Sequence, residues 1–472
     1  MTGKSPEKTP VSLVNFFVFN SEYGPREGEE EKKILYYYPP NTELDKKIKD
    51  VGLCEAIIKF TETFSDNPCE AMHAQKTRQV FHQPEKDFWM VLTVSIPSSE
   101  KEKDGQSYME FHEDDVQDSV FDAVLKQAYR MFKLFMGSFQ HILEKGTAQN
   151  LKQRLDHFFS RYLQTLKLNQ SDILDVYCGI HFLPLDKNTY LKIQCLINLL
   201  EATFLQVKYT AFLYNDQLVW SGLEQDDMRY MYKYLTTSLF PAYMEQELQG
   251  GSPYSSSTNV TGGPSTSHYG KFVTGPPSLT EPQNFGKIPR IFVNTGRPDE
   301  ECHLLVYRAL SATVCMLIEG SFQIPFDFFK SLDSFLGPQL SSLASDIGEQ
   351  YARRPPSTAE PLFKYVYFNY MNLAQKTTIH ADSNKKTAGS VSVPPDIMRL
   401  IGDINADISR SSNDDNETIA RTQTGDYWVV GKKSDQREFY VVINQKNANL
   451  IEINEEVKKL CTSHFSNIFF LD

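Results

Sequence analysis

The 472-residue sequence predicts an α+β chain of three successive units, each a mainly antiparallel sheet flanked by helices. Two observations predict it. One element order recurs along the chain: a strand pair, a helix, further strands, then helix, with no residue-level repeat beneath it. A mostly antiparallel sheet covered by helices is a layer solution for such an order. Length is the other observation, because domains run to roughly 100–200 residues and about three are expected. The boundaries fall at 1–170, 171–352 and 353–472.

The first unit opens with an apolar and aromatic strand over Val11–Asn20. The charged loop GPREGEEEK leads to a second strand over Lys33–Pro40, which two prolines end. A helix follows over Glu43–Phe64, then a buried strand over Phe88–Pro97. Periodic apolar residues predict two closing helices. One, over Val116–Leu143, carries Val120, Val124, Met131 and Phe135; the other, over Leu151–Leu168, carries Leu155, Phe158, Tyr162 and Leu166.

A bridging, partly helical segment around Thr189–Leu205 leads into the second unit. Lys208–Leu223 reads as a hairpin turning at Asn215-Asp216. The helix over Glu224–Phe240 places Met228, Met231, Tyr232, Leu235 and Leu239 on one face. The Gly/Ser/Pro/Thr-rich stretch from about 247 to 284 has too little apolar content to fold alone, so a disordered insertion is expected. Strands over Arg290–Thr295 and His303–Glu319 and a helix over Phe326–Tyr351 complete the unit.

The third unit starts after Arg353-Arg354-Pro355-Pro356 with a bent strand or hairpin over Phe363–Ile379. A helix carrying Ile397, Leu400, Ile401, Ile404 and Ile408 precedes a hairpin over Asp426–Lys446 that turns near Ser434-Asp435. The last helix, capped near Asn454, carries Val457, Leu460, Cys461, Phe465 and Ile468.

Composition narrows the function classes. The net charge of −12 opposes sequence-independent nucleic-acid binding, which needs Lys and Arg to replace phosphate counterions. The same charge is repelled by anionic membrane surfaces. The seven cysteines are scattered, odd in number and without a C-x-x-C pair, which argues against a disulfide framework or a zinc site. No apolar run reaches bilayer-spanning length, and the N-terminus lacks the apolar core of a signal peptide. A cytosolic or nuclear protein that meets membranes peripherally is expected.

No catalytic constellation emerges, and neither a metal nor a cofactor is expected. H-E-x-x-H, G-x-S-x-G and the dinucleotide fingerprint are absent. Gly425–Ser434 approaches a phosphate loop, but five residues rather than four separate Gly425 from Gly431, and Lys433 precedes Ser434. Its YWVV core is strand-like, so a hairpin arm with a basic tip is expected. The acidic runs Glu27–Glu31 and Glu113–Asp118 read as solvated surface. His73, His82 and His112 are too scattered to be favoured as ligands. Two aromatic-x-x-aliphatic sequences, Phe121–Val124 and Tyr427–Val430, match short adaptor-binding motifs but lie in helix and hairpin patterns, so core roles are expected.

The helix over Glu43–Phe64 is more informative. A helical wheel puts Leu44, Ile48, Val51 and Ile58 on one face and Leu53, Ile57, Phe60 and Phe64 nearly opposite, with Gly52 at the switch. One stripe suffices to pack a helix on its own sheet. The second requires another cover, either a neighbouring part of this chain or a partner protein.

The strings VGLCEAIIKFT, FWMVLTV, KYTAFLYNDQLVWSGLEQDDMR, DYWVVGKKSDQREFYVVINQKNANLIEINEEVKKLC and NIFFLD are long and of low degeneracy. Across most of its length the chain resembles the animal members of the CCZ (calcium-caffeine-zinc sensitivity) vacuolar-fusion family. The resemblance implies three longin domains and a heterodimer with a Mon-type longin protein, joined in animals by a third subunit. It implies nucleotide exchange on a Rab-seven-type GTPase of late endosomes, without catalytic acids or nucleophiles. Recruitment by an early-endosomal Rab, phosphoinositides and autophagy adaptors to late endosome, lysosome and autophagosome membranes is likewise implied. On this reading Leu53, Ile57, Phe60 and Phe64 bind the Mon-type partner. Tyr36, Tyr37, Tyr38 and Asn41, beside that helix, are the candidates to face the GTPase, although strand alternation sends at least one tyrosine inward. The alternative is a longin-domain scaffold or adaptor without exchange activity, with an intrinsic GTPase or hydrolase behind it.

Overall fold

The computed structural model describes residues 8–103, 106–248, 270–294, 297–353, 364–380, 391–411, 415–423 and 425–464. The first domain contains β1 (Leu13–Asn20), β2 (Ile34–Tyr38), α1 (Leu44–Glu62), β3 (Ala71–His73), β4 (Thr77–Glu85) and β5 (Phe88–Ser95). A hairpin of β6 (Ser98–Lys103) and β7 (Gln106–Phe111) leads to α2 (Asp118–Met136), α3 (Phe139–Lys145) and α4 (Ala148–Thr165). The main sheet is antiparallel throughout, in the order β2-β1-β5-β4-β3. Alternation along β1 feeds two cores. Phe16 and Val18 pack with Phe132 and Phe159 beneath α2 and α4, while Phe17 and Phe19 pack with Val51, Cys54 and Ile58 of α1.

Two helices, α5 (Ile173–Tyr177) and α6 (Lys187–Thr203), lead into the second domain. It comprises β8 (Val207–Tyr214), β9 (Gln217–Ser221), α7 (Gln225–Tyr234), α8 (Phe240–Leu248), β10 (Lys271–Thr274), β11 (Arg290–Val293), β12 (Glu300–Ala309), β13 (Ala312–Glu319) and α9 (Phe326–Arg353). The sheet order is β10-β12-β13-β8-β9, with β11 also on β12. The β8–β9 turn carries Asn215 and Asp216 at φ 45° and 61°, the left-handed pair that a two-residue hairpin needs.

The third domain contains β14 (Lys364–Asn369), β15 (Ala374–Thr377), the short parallel pair β16 (Ile379–His380) and β17 (Val391–Ser392), and α10 (Pro395–Arg410). β18 (Asn416–Arg421), β19 (Trp428–Ser434), β20 (Arg437–Ile443) and α11 (Leu450–His464) follow. Its main sheet runs β15-β14-β20-β19-β18.

One apolar cluster joins all three domains. It draws Met131 and Leu134 from α2, Ile173 and Tyr177 from α5, Met228 and Met231 from α7, and Ile397, Ile401 and Ile404 from α10. Helices from all three domains therefore meet at a common junction. Backbone hydrogen bonds from residues 179–183 also link β15 of the third sheet to β9 of the second.

Several expectations are corrected. The insertion expected over 247–284 is not disordered throughout: α8 reaches Leu248, and Lys271–Thr274 forms an edge strand that buries Phe272 and Thr274 against β12. Pairing to an existing sheet compensates for the low apolar content. Residues 249–269 lie outside the described residues. The single helix expected over Val116–Leu143 breaks at Gly137, whose φ of 84° is left-handed, and restarts behind the Ser138 cap. His303–Glu319 is a hairpin turning at Leu310, φ 53°, rather than one strand. β4 escaped prediction because its TRQVFHQPE sequence is largely polar; its central pairing between β3 and β5 supplies what its composition lacks. The last helix is capped by Asn449, whose Oδ1 accepts from the N–H groups of Ile451 and Glu452, not near Asn454. Glu452 returns a bond to the Asn449 N–H. The expected Phe465 and Ile468 lie outside the described residues.

Candidate functional site

The α1 helix runs unbroken through Gly52 and lies across one face of the first sheet. Val51, Cys54 and Ile58 bury into that sheet with Ile48 beside them. The Cys54 thiol is pushed up to about 12, first by burial, which removes it as a ready nucleophile. Leu44, expected on this face, is 47% exposed; the helix meets the core only from Ile48 onward. Two polar contacts tie α1 to β2 and the residue just before it: Tyr37 donates to Asp50 Oδ2 at 2.6 Å, and Lys33 pairs with Glu55 at 2.6 Å.

The second stripe faces away from the sheet. Leu53, Phe60 and Phe64 are 54%, 65% and 75% exposed, and Ile57 is half-buried. Phe60 and Phe64 meet edge to face, with ring centroids 4.8 Å apart. No described part of the chain buries these three side chains. Their contiguity distinguishes them from the scattered apolar residues that any protein surface carries.

The structure divides the tyrosine run. Tyr36 and Tyr37 are both buried, on opposite faces of the sheet, which corrects the expectation that they face a partner. Tyr36 packs against Phe16 and Phe159, and burial pushes its hydroxyl up to about 12. Tyr37 stacks on Phe17 at 5.4 Å, and burial raises its hydroxyl further. The sheet is covered on both faces, so alternation exposes neither residue. Tyr38 is half-buried and Asn41 exposed, where β2 gives way to α1.

The second acidic run is less solvated than expected. Asp115 pairs with Lys8 at 3.1 Å and with Arg399 of α10 at 2.7 Å, and Gln117 donates to Asp403 and to the Arg399 carbonyl. Asp118 takes Arg78 at 2.5 Å and His73 at 2.7 Å. These contacts edge a charged cleft of about 1440 Å³ between the first and third domains. None of them leaves a local pattern in the sequence, because the partners lie from 40 to 286 residues apart. Among the described residues no group of His, Cys, Asp or Glu could hold a metal ion. Gly431 sits inside β19, paired on both sides, which excludes a phosphate loop there. Phe121 and Val124 are buried in α2, and Val429 and Val430 in β19. No described helix is long and apolar enough to cross a membrane.

Comparison with known proteins accounts for this architecture. The family model described as the first longin domain of INTU, CCZ1 and HPS4 matches residues 13–137. Those described as Intu longin-like domains 2 and 3 match residues 207–337 and 359–460. A Nematostella vectensis protein named vacuolar fusion protein CCZ1 homolog is 57% identical over 467 residues, covering 98% of this chain and 99% of its own. A Xenopus laevis protein of the same name is 55% identical over 468 residues, covering 98% of each. The Dictyostelium discoideum protein of that name is 31% identical over 467 residues, covering 97% of this chain and 98% of its own.

Proposed function

Because the chain belongs to the CCZ1 family of vacuolar fusion proteins and is built of longin domains, we propose that it is one subunit of a heteromeric guanine-nucleotide exchange factor. A role in vesicle trafficking follows from the family itself. The finer reading is that the chain pairs with a Mon-type longin protein and activates a Rab-seven-type GTPase on late endosomal, lysosomal and autophagosomal membranes. One observation carries it: the first domain holds a helix with one stripe in its own core and a second, aromatic stripe in solvent.

Such a subunit works by geometry. An exchange factor that binds the nucleotide-free GTPase best shifts the equilibrium by its differential affinity for two states. It needs no acid, base or nucleophile, and the absence of a recognisable catalytic motif is compatible with that mechanism. The α1 stripe would take the partner's first longin domain, leaving Tyr38 and Asn41 at the rim of the joint surface for the GTPase. An early-endosomal Rab, membrane phosphoinositides, autophagy adaptors and a third subunit complete the proposed assembly.

The test is co-expression with the Mon-type protein followed by release of fluorescent GDP from the GTPase. Acceleration that requires both subunits is expected. A complex that forms on membranes but leaves the labelled GDP in place would establish the scaffold alternative instead.

A further inference from the structure

Residues 179–183 leave α5 as an extended segment between two sheets. Successive residues of an extended chain direct their backbone groups to opposite sides. Ile180 donates to the Leu373 carbonyl and accepts from the Gln375 N–H, both at 2.8 Å, on the third-domain side. On the other side, the His181 carbonyl accepts from Leu218 at 2.8 Å, and the Leu183 N–H donates to the Leu218 carbonyl at 2.9 Å. Both pairings are parallel, Ile180 opposite Ala374 and Phe182 opposite Leu218. The segment thus stands as a strand between β15 and β9, the end strands of their sheets.

Two side-chain arrangements fix it there. At Gly179 a Cβ would come within 2.4 Å of the Gln375 Cβ, so only glycine permits this approach. The Gly179 N–H also donates to Gln375 Oε1 at 3.0 Å. Just before it, Tyr177 donates to Oε2 of Glu438 at 2.5 Å. Glu438 lies on β20, central in the third sheet, and is only 2% exposed. The same oxygen accepts from Tyr440 at 2.9 Å and Asn405 at 2.8 Å, and Oε1 accepts from Tyr370 at 3.2 Å. A carboxyl group is costly to bury unless its oxygens are hydrogen-bonded, so each donor lost here weakens the whole anchor.

We infer that residues 177–183 form a strap that merges the second and third domains into one cooperative unit. Its edges open only when both sheets open. Local openings elsewhere in a protein occur in contiguous cooperative units, and this strap sets the extent of one of them.

Hydrogen exchange of the full chain, read by mass spectrometry, tests the inference. Peptides covering 217–221 and 374–377 should exchange as slowly as those of β13 and β20. Gly179→Ala should accelerate both by at least about tenfold, leaving β1 and β5 unchanged. Tyr177→Phe, a milder change, should accelerate residues 179–183 and 374–377 by about tenfold, and it carries the test if Gly179→Ala fails to fold. Rapid exchange at either edge in the unaltered chain would overturn the inference. So would a folded Gly179→Ala that accelerates one edge alone or neither, or a Tyr177→Phe without effect.

Discussion

Three helices, α1, α7 and α10, hold corresponding places in their domains, each after the opening hairpin, yet they meet different surroundings. The helix α7 buries Met228, Met231 and Tyr232, and α10 buries Ile397, Met398, Ile401, Ile404 and Ile408. Both point into the junction shared by the domains. The helix α1 buries only Val51, Cys54 and Ile58 in its sheet and turns Leu53, Phe60 and Phe64 outward. The first domain reaches the junction through α2 instead, on the opposite face of its sheet. The second and third domains thus use this helix position to hold the chain together, whereas the first leaves an aromatic stripe of it in solvent.

The largest effect should come from placing the same charge on each helix. Ile401→Asp, at a fully buried position of α10, should cost at least about 3 kcal/mol and unfold a large share of the protein, because an unpaired carboxylate would enter an apolar core. Phe60→Asp on α1 should shift stability by no more than about 0.5 kcal/mol. Chemical denaturation measures both. Equal losses would show that α1 is internally packed and would erase the contrast.

The double change Ile57→Asp and Phe60→Asp should abolish co-purification with the Mon-type partner while the chain remains folded. Burying one such side chain contributes roughly 1.5–3 kcal/mol, so losing two exceeds a hundredfold in affinity. Normal complex formation by a folded double variant would remove α1 from the interface.

The tyrosines sharpen the division within the first domain. Tyr36→Ala should destabilise the fold by about 3–5 kcal/mol, the range for large aromatic residues cut out of a core. Asn41→Ala should leave melting unchanged, Tyr38→Ala should cost well under half of the Tyr36→Ala loss because Tyr38 only partly packs on the core, and both should weaken GTPase binding by about 1–2 kcal/mol. Titration of the assembled complex with nucleotide-free GTPase checks this. A stability loss at Tyr38 matching that at Tyr36 would mean that neither side chain is available at the surface.

A last contrast lies on the packed face of the same sheet. His82 lies beside Tyr129 of α2, and burial, with Lys126 and Arg130 nearby, holds its pKa down at about 4. The unfolded chain binds this proton near pH 6.5 and the folded chain only near pH 4. The stabilising contribution is therefore complete above about pH 6.5 and is lost as pH falls toward 4. Thermal melts across that window should fall less steeply for His82→Phe. Parallel slopes for variant and unaltered chain would assign the acid sensitivity elsewhere.

Periodicity and turn chemistry made much of the fold legible. The Asn215-Asp216 hairpin, the apolar faces of α7 and α10 and the two stripes of α1 are all local patterns, visible within twenty residues. So is the capping pair Asn449 and Glu452, five residues before the expected Asn454. The polar strand β4 and the edge strand β10 were not legible, because each is stabilised by neighbours that supply what its own composition lacks.

Local patterning alone specifies that three α+β units follow one another and that the first long helix has more apolar surface than one sheet can cover. Which stripe stays outside, that Tyr36 and Tyr37 both turn inward, and that Glu438 holds Tyr177 from 261 residues away all depend on packing between distant elements. The physical reason is range. Hydrogen-bond geometry and side-chain period act along the chain and leave a local record, whereas burial depends on what packs above and below a sheet. For β2 that is α1 on one face and α4 on the other, and neither the depth of its tyrosines nor the openness of α1 exists until those layers are assembled.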